Sequence, residues 1–173
     1  MRLLAALAAA AALALPAATA SASRAASACS FDREYLQSSI RSSLFSIAGG
    51  RIAVARASNA DVQALGRRLV DDHGRSLGAA QKLARALHVA VPGNLDAVQH
   101  WELNVVSGLS GSDFDRRFAW LAAARSGTAV QDATAAAGGA CSASVRKLAK
   151  SRLADLRAEL KLAEAAQRSA GAA

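Results

Sequence analysis

Between Val62 and Leu87 the apolar residues fall at steps of three and four: Val62, Leu65, Leu69, His73, Leu77, Ala80, Ala84 and Leu87. That spacing places all eight on one face of an α-helix. Three further stretches carry the same period. A first helix is expected from about Ser30 to Ala57, with Phe31, Tyr35, Ile40, Leu44 and Ile47 inward. A third follows Phe114, Phe118, Leu121 and Ala129 after Ser112 and breaks at Gly138-Gly139. A fourth runs from about Ser142 to Arg168 through Val145, Ala149, Leu153, Leu156, Leu160 and Ala163. No stretch alternates apolar and polar residues long enough to predict a strand, so the chain reads as all-α.

The punctuation between these stretches sets the topology. Ser58 or Asn59 can cap the second helix, with Asp61 placing negative charge at the positive end of its dipole. Pro92-Gly93 ends that helix. Gly49-Gly50, inside the first helix, costs about 1 kcal/mol per glycine relative to alanine, which a kink or a close helix contact would explain. A shorter helical segment, Asn94 to Ser107, reaches about 20 Å at 1.5 Å per residue, enough to carry the chain from one end of a bundle to the other. Four long helices with one short crossover helix between helices two and three is therefore the expected architecture. Cys29 precedes the first helix and Cys141 the fourth. A disulfide between them needs the crossover, which brings both helix starts to one end, and two separate thiols are the alternative.

The first twenty residues hold one charge, Arg2, then an apolar run from Leu3 to Leu15 and the small residues Ala18-Thr19-Ala20. This order predicts a secretory signal peptide over 1–20, or 1–22, and an exported, periplasmic protein, with secretion or outer-membrane association as alternatives. The apolar run falls short of the roughly 20 residues of a membrane-spanning helix. A flexible segment over 21–29, a single bundle domain over 30–168 and a disordered tail over 169–173 complete the expected organisation. The formal charge is +8, and +7 without residues 1–20, which include Arg2 as their only charge. Such a balance favours anionic partners, here components of the cell envelope. In linear order the basic residues are dispersed and aromatic residues are few, which reads as a solvated surface and not as a specific nucleic-acid site.

From Phe31 to about Ala166 the chain resembles an exported bacterial ferritin-like family of unknown function, often labelled outer-membrane proteins. The resemblance lies in Ala57-Ser58-Asn59 followed by Val62, in Leu69-Val70-Asp71-Asp72-His73, in Leu109-Ser110-Gly111 with Phe114-Asp115-Arg116, and in Leu156-Arg157 followed by Leu160. It implies a ferritin-like four-helix fold and a metal site inside the bundle. Family members commonly carry a glutamate in the first helix, a histidine in the second, an Asp-His pair in the third and a histidine in the fourth. Only His73 matches. The other positions fall near Ser46 or Ala48, on Arg125-Ser126, and on Glu159.

A dinuclear carboxylate centre needs acids from all four helices. No acid lies between Tyr35 and Ala57, and none between Arg116 and Gln131. The candidates that remain for a single transition-metal ion are Asp72, His73 and Glu159. Against them stands a hydrogen-bonded core histidine, paired with Glu159 or another polar group. No nucleophile elbow or phosphate loop is present, and no catalytic residue is assigned. His88 and His100 flank the Pro92-Gly93 turn without a partner at zinc-ligand spacing. Trp101 and Trp120 are expected to fill the bundle or to seal the crossover. A non-enzymatic binding or stress-related role is the leading reading, and a metal-dependent oxidoreductase or iron-handling protein is the alternative.

Overall fold

The computed structural model describes residues 28–172, in five helices and, among these residues, no strand. The expected signal peptide and residues 21–27 lie outside the described residues. The helices are α1 (Ser30–Arg56), α2 (Ala60–Ala86), α3 (Ala97–Ser107), α4 (Gly111–Gly139) and α5 (Ala143–Gly171). Local chemistry sets several of their ends. The Asn59 side chain accepts hydrogen bonds from the backbone N–H groups of Asp61 and Val62 at the start of α2. Asp96 and Gln99 form a reciprocal capping box on α3. α2 closes before Pro92: His88 takes a left-handed conformation, φ 54°, while the N–H groups of His88 and Val89 reach back to the carbonyls of Arg85 and Ala84.

α1 pairs with α2 and α4 with α5 as two antiparallel hairpins; α2 also packs on α5 and α1 on α4. α3 is the crossover between them, held where Arg56 donates to the carbonyls of Ser107 and Leu109. Cys29 and Cys141 are bonded to each other, with a Cα–Cα distance of 6.4 Å, so the starts of α1 and α5 share one end of the bundle.

The two hairpins repeat one another. Phe31-Asp32-Arg33 recurs as Phe114-Asp115-Arg116, an offset of 83 residues (115 less 32). The same offset relates Ser58-Asn59 to Cys141-Ser142, Val62 to Val145, and Ser43 to Ser126. The two aspartates do the same work in opposite directions. Asp32 accepts from the backbone N–H groups of Cys141 and Ser142, both at 2.8 Å, before α5. Asp115 accepts from the backbone N–H groups of Ser58 and Asn59, at 3.2 and 2.9 Å, before α2. Each hairpin thus caps the second helix of the other, satisfying donors that a helix cannot satisfy itself. Ser110 and Ser142 make no side-chain cap of their own.

Two apolar clusters fill the bundle. One gathers Phe45, Leu65, Leu69, Phe114, Phe118 and Ala163 near the starts of α2 and α4. The other gathers Leu36, Ile40, Ala80, Ala84, Val145 and Leu156 near the opposite end. Several positions differ from the sequence pattern. Gly49-Gly50 does not interrupt α1; Gly50 instead touches α2, where a Cβ would stand 2.6 Å from the Gly66 carbonyl oxygen. Phe31 is exposed, and Phe45 is buried while Leu44 and Ile47 are only partly so. Trp101 and Trp120 neither fill the bundle nor seal it: they are 61% and 47% exposed. The guanidinium of Arg117 covers the Trp120 ring at 4.6 Å, which gives that ring a partner at the surface. α5 runs past Arg168 to Gly171 with Ala170 buried, so residues 169–171 are helical where a tail was expected.

Candidate functional site

A polar layer crosses the bundle between the two apolar clusters. α2 contributes His73, α5 contributes Glu159 and Arg152, α4 contributes Ser126, and α1 contributes Ser39 and Ser43, all of them buried. His73 Nε2 lies 2.9 Å from Glu159 Oε2. Ser126 donates to Glu159 Oε1 at 2.7 Å. On the far side of the ring, Nδ1 faces Ser43 Oγ at 3.2 Å and Arg152 Nη2 at 3.4 Å. The second arm of Arg152 donates to Ser39 Oγ at 2.9 Å. His73 thus lies between a guanidinium, which can only donate, and the Glu159 carboxylate, which accepts. Positive Arg152 and negative Glu159 are therefore joined through one imidazole, and the two charges compensate one another within the layer.

Burial alone would push the Glu159 carboxyl up. The hydrogen bond and charge of His73, the Ser126 hydroxyl and the charge of Arg152 outweigh it, and the carboxyl is held below its ordinary value. Burial lowers the Arg152 guanidinium, against the opposing pull of Tyr35 and the carboxylates of Glu159, Asp155 and Asp72. Burial also raises the Tyr35 hydroxyl, with Arg152 opposing and Asp132 adding to the rise.

Two kinds of chemistry can be tested against this geometry. Ser43, His73 and Glu159 are connected in the order of a nucleophile, a base and an orienting acid. Ser43 Oγ, however, donates to the carbonyl of Ser39 in its own helix at 2.9 Å, and Ser43 and His73 are 0% and 1% exposed. A substrate has no approach to such a serine. The cavities that border the layer are small: one of about 20 Å³ lined by Tyr35, Ser39, Asp132 and Arg152 among others, and one of about 10 Å³ that Ser126 lines, room for about one water each. For a metal ion, His73 and Glu159 converge but Asp72 does not join them: its carboxylate is bound by Arg68 and Arg75 on its own helix. Two protein ligands with a guanidinium 3.4 Å from the imidazole do not fit a transition-metal ion, which binds through three or four neutral or anionic donors. Arg125 stands apart from the layer, paired with Glu102 and lying over the Phe45 ring; its neighbour Ser126 is the residue that enters.

Among the described residues, one group brings three metal-ligating side chains together: Cys29, Asp32 and Cys141. There the sulfurs are bonded to each other and the carboxylate caps α5. His88 and His100 lie on the exposed surface, outside the polar layer.

The profile of a family described as Domain of unknown function (DUF4142) matches residues 4–166. The chain belongs to this family. No curated protein and no solved structure matches it significantly. DUF4142 carries no described activity, so any chemistry assigned to this member rests on its own residues. Of those, sequence reasoning found His73 and Glu159 and missed Arg152, Ser43, Asp32 and Asp115. The missed serine and aspartates were visible as the 83-residue repeat, in which Ser43 matches Ser126 and Asp32 matches Asp115. The repeat breaks at the centre: His73 aligns with Leu156 and Glu159 with Ser76, so each hairpin supplies one half of the central pair.

Proposed function

We propose that this DUF4142 chain is an exported, ferritin-like bundle of the cell envelope with a non-catalytic binding or stress-related role, in which the His73–Glu159 pair is a structural centre. One observation carries the non-catalytic part: Arg152 neutralises Glu159 through His73, and no buried side-chain nitrogen or oxygen among the described residues lacks a hydrogen-bond partner. A closed and satisfied polar layer specifies how four helices align and leaves no donor free for a ligand. The Cys29–Cys141 disulfide supports export, because such bonds persist in oxidising compartments. The paired hairpins and the α3 crossover support the ferritin-like assignment.

Metal analysis of the purified protein tests the central claim. The expected result is substoichiometric iron, manganese and zinc, with no change in melting temperature when each is added. Stoichiometric metal that disappears in His73→Ala would establish instead the second reading, an iron-handling or oxidoreductase bundle, which has the 2.9 Å convergence of His73 and Glu159 in its favour. Export is tested separately, by the intact mass and fractionation of the expressed protein. Cleavage after Ala20 or Ala22 and recovery with the periplasm are expected, and an uncleaved cytoplasmic protein with free thiols overturns that part.

A further inference from the structure

The charge of this chain is unevenly shared between its two sides. α2 and α5, which pack side by side, carry 12 Lys and Arg against six Asp and Glu; α1, α3 and α4 together carry seven against six. The imbalance gathers on the outside of α5. Lys147, Lys150, Ala154, Arg157, Lys161, Glu164 and Arg168 follow one another at steps of three and four, all exposed, so five basic side chains and one acid share a single stripe. At 1.5 Å per residue the stripe is about 32 Å long. On α2, which packs against α5, Arg68, Arg75 and Lys82 recur every seven residues, also exposed, as are the acids Asp71 on α2 and Asp155 on α5. Buried Asp72 bridges Arg68 and Arg75 and so holds both in place. Neither helix contains a Phe, Trp or Tyr; all seven of those residues lie on α1, α3 and α4.

We infer that the outward face of α5, with the basic shoulder of α2, docks on the anionic surface of a lipid bilayer. A helical stripe of dispersed ammonium and guanidinium groups about 32 Å long can meet a plane of lipid phosphates along its length. Without aromatic side chains it inserts nothing into the acyl region, so the attachment is electrostatic and reversible by salt. The same features disfavour nucleic acid: there is no platform on which bases could stack, and α5 is flanked by α2 and α4, which keeps it out of a major groove about 12 Å wide. The inference rests on the proposed export only for where such a surface is met.

The test is co-sedimentation of the purified, disulfide-bonded protein with vesicles of phosphatidylglycerol and phosphatidylcholine, and with phosphatidylcholine alone. Two variants of equal net charge decide it: Lys150→Gln/Arg157→Gln/Lys161→Gln on α5, and Arg51→Gln/Arg116→Gln/Arg117→Gln on α1 and α4, with helicity and melting temperature recorded for both. The parent protein should bind only the anionic vesicles and be released by salt. The α5 triple should lose roughly a hundredfold in affinity, from about fivefold per basic side chain near an anionic surface, and the control triple less than about threefold. Equal losses would mean that net charge alone binds, and no binding by the parent would mean that the face has another use; either overturns the inference. So does a parent that binds duplex DNA and ignores the vesicles. The assay is blind to cellular address, so its failure leaves the export proposal standing. Conversely, a cytoplasmic protein that still binds vesicles overturns export and not the docking face.

Discussion

Arg152 and Glu159 are 9% and 3% exposed and are linked through His73. If they are each other's counter-charge, removing one must be far worse than removing both. Glu159→Leu leaves a buried guanidinium with only the carboxylates of Asp155 and Asp72 as counter-charges, and Arg152→Met leaves a buried carboxylate that keeps its His73 and Ser126 partners but loses the positive charge beyond the imidazole; breaking a buried pair from one side costs about 3 to 5 kcal/mol. The double variant Arg152→Met/Glu159→Leu buries no net charge. It should cost no more than the milder single change, which makes the coupling at least as large as the harsher one, about 3 to 5 kcal/mol. Urea denaturation of the four proteins measures this, provided that the slopes remain equal. Effects that add to within about 0.5 kcal/mol would show that the two charges are independent and that the layer has been misread. The depressed Glu159 carboxyl adds a second test in pH. An acid whose folded value lies below its unfolded value of about 4.3 stabilises the fold above that unfolded value. The contribution is lost as pH falls through the lower folded value. The stability gap between the parent and Glu159→Gln should therefore be widest near neutrality and narrow in acid, and a gap that is constant with pH refutes the assignment.

Three further outcomes follow from the packing. Gly50→Ala, whose Cβ would meet the Gly66 carbonyl, should destabilise by about 1 to 3 kcal/mol; Gly74→Ala, with open space around it, should stabilise by about 0.5 to 1 kcal/mol through helix propensity. Thermal melts of the pair check both signs. Asp32→Ala and Asp115→Ala should each cost about 1 to 2 kcal/mol as lost caps, read as earlier hydrogen exchange at Ser142 and Asn59 respectively, the helix that each aspartate caps from the other hairpin. Reduction of the Cys29–Cys141 bond, which spans 112 residues, should lower stability by about 4 to 5 kcal/mol in the chain-entropy view, measured by denaturation with and without reductant.

How much of this was legible in the chain differs by element. The four long helices and the crossover were visible because apolar spacing survives in linear sequence. His73 and Glu159 were found by elimination, since the middles of the first and third helical stretches contain no acid. Arg152 was not found, because an arginine counts as surface until the inward face of its helix is known. Leu153 and Leu160 drew the apparent apolar face of α5 to one side; the true inward register is Val145, Ala149, Arg152, Leu156, Glu159 and Ala163. Trp101 and Trp120 misled for the opposite reason. Large aromatic residues are expected inside, yet the bundle is filled by phenylalanine, leucine and alanine. Likewise, dispersed basic residues look unremarkable in linear order and form a stripe only after being wound at 3.6 residues per turn.

The reciprocal caps of Asp32 and Asp115 have a consequence for the chain as a polymer. Each hairpin lends an anchor to the other's second helix: α5 has no side-chain cap of its own, so a fragment beginning within α3 would fray at the start of α5, whereas a fragment ending within α3 keeps the Asn59 cap on α2 and loses only that of Asp115. Two full chains, by contrast, could exchange hairpins and keep every cap, with α3 as the hinge. The only covalent mark of the difference is the Cys29–Cys141 bond, which would join two molecules in an exchanged pair and one molecule with itself otherwise. Oxidation therefore fixes whichever partnering the hairpins have reached when the bond closes.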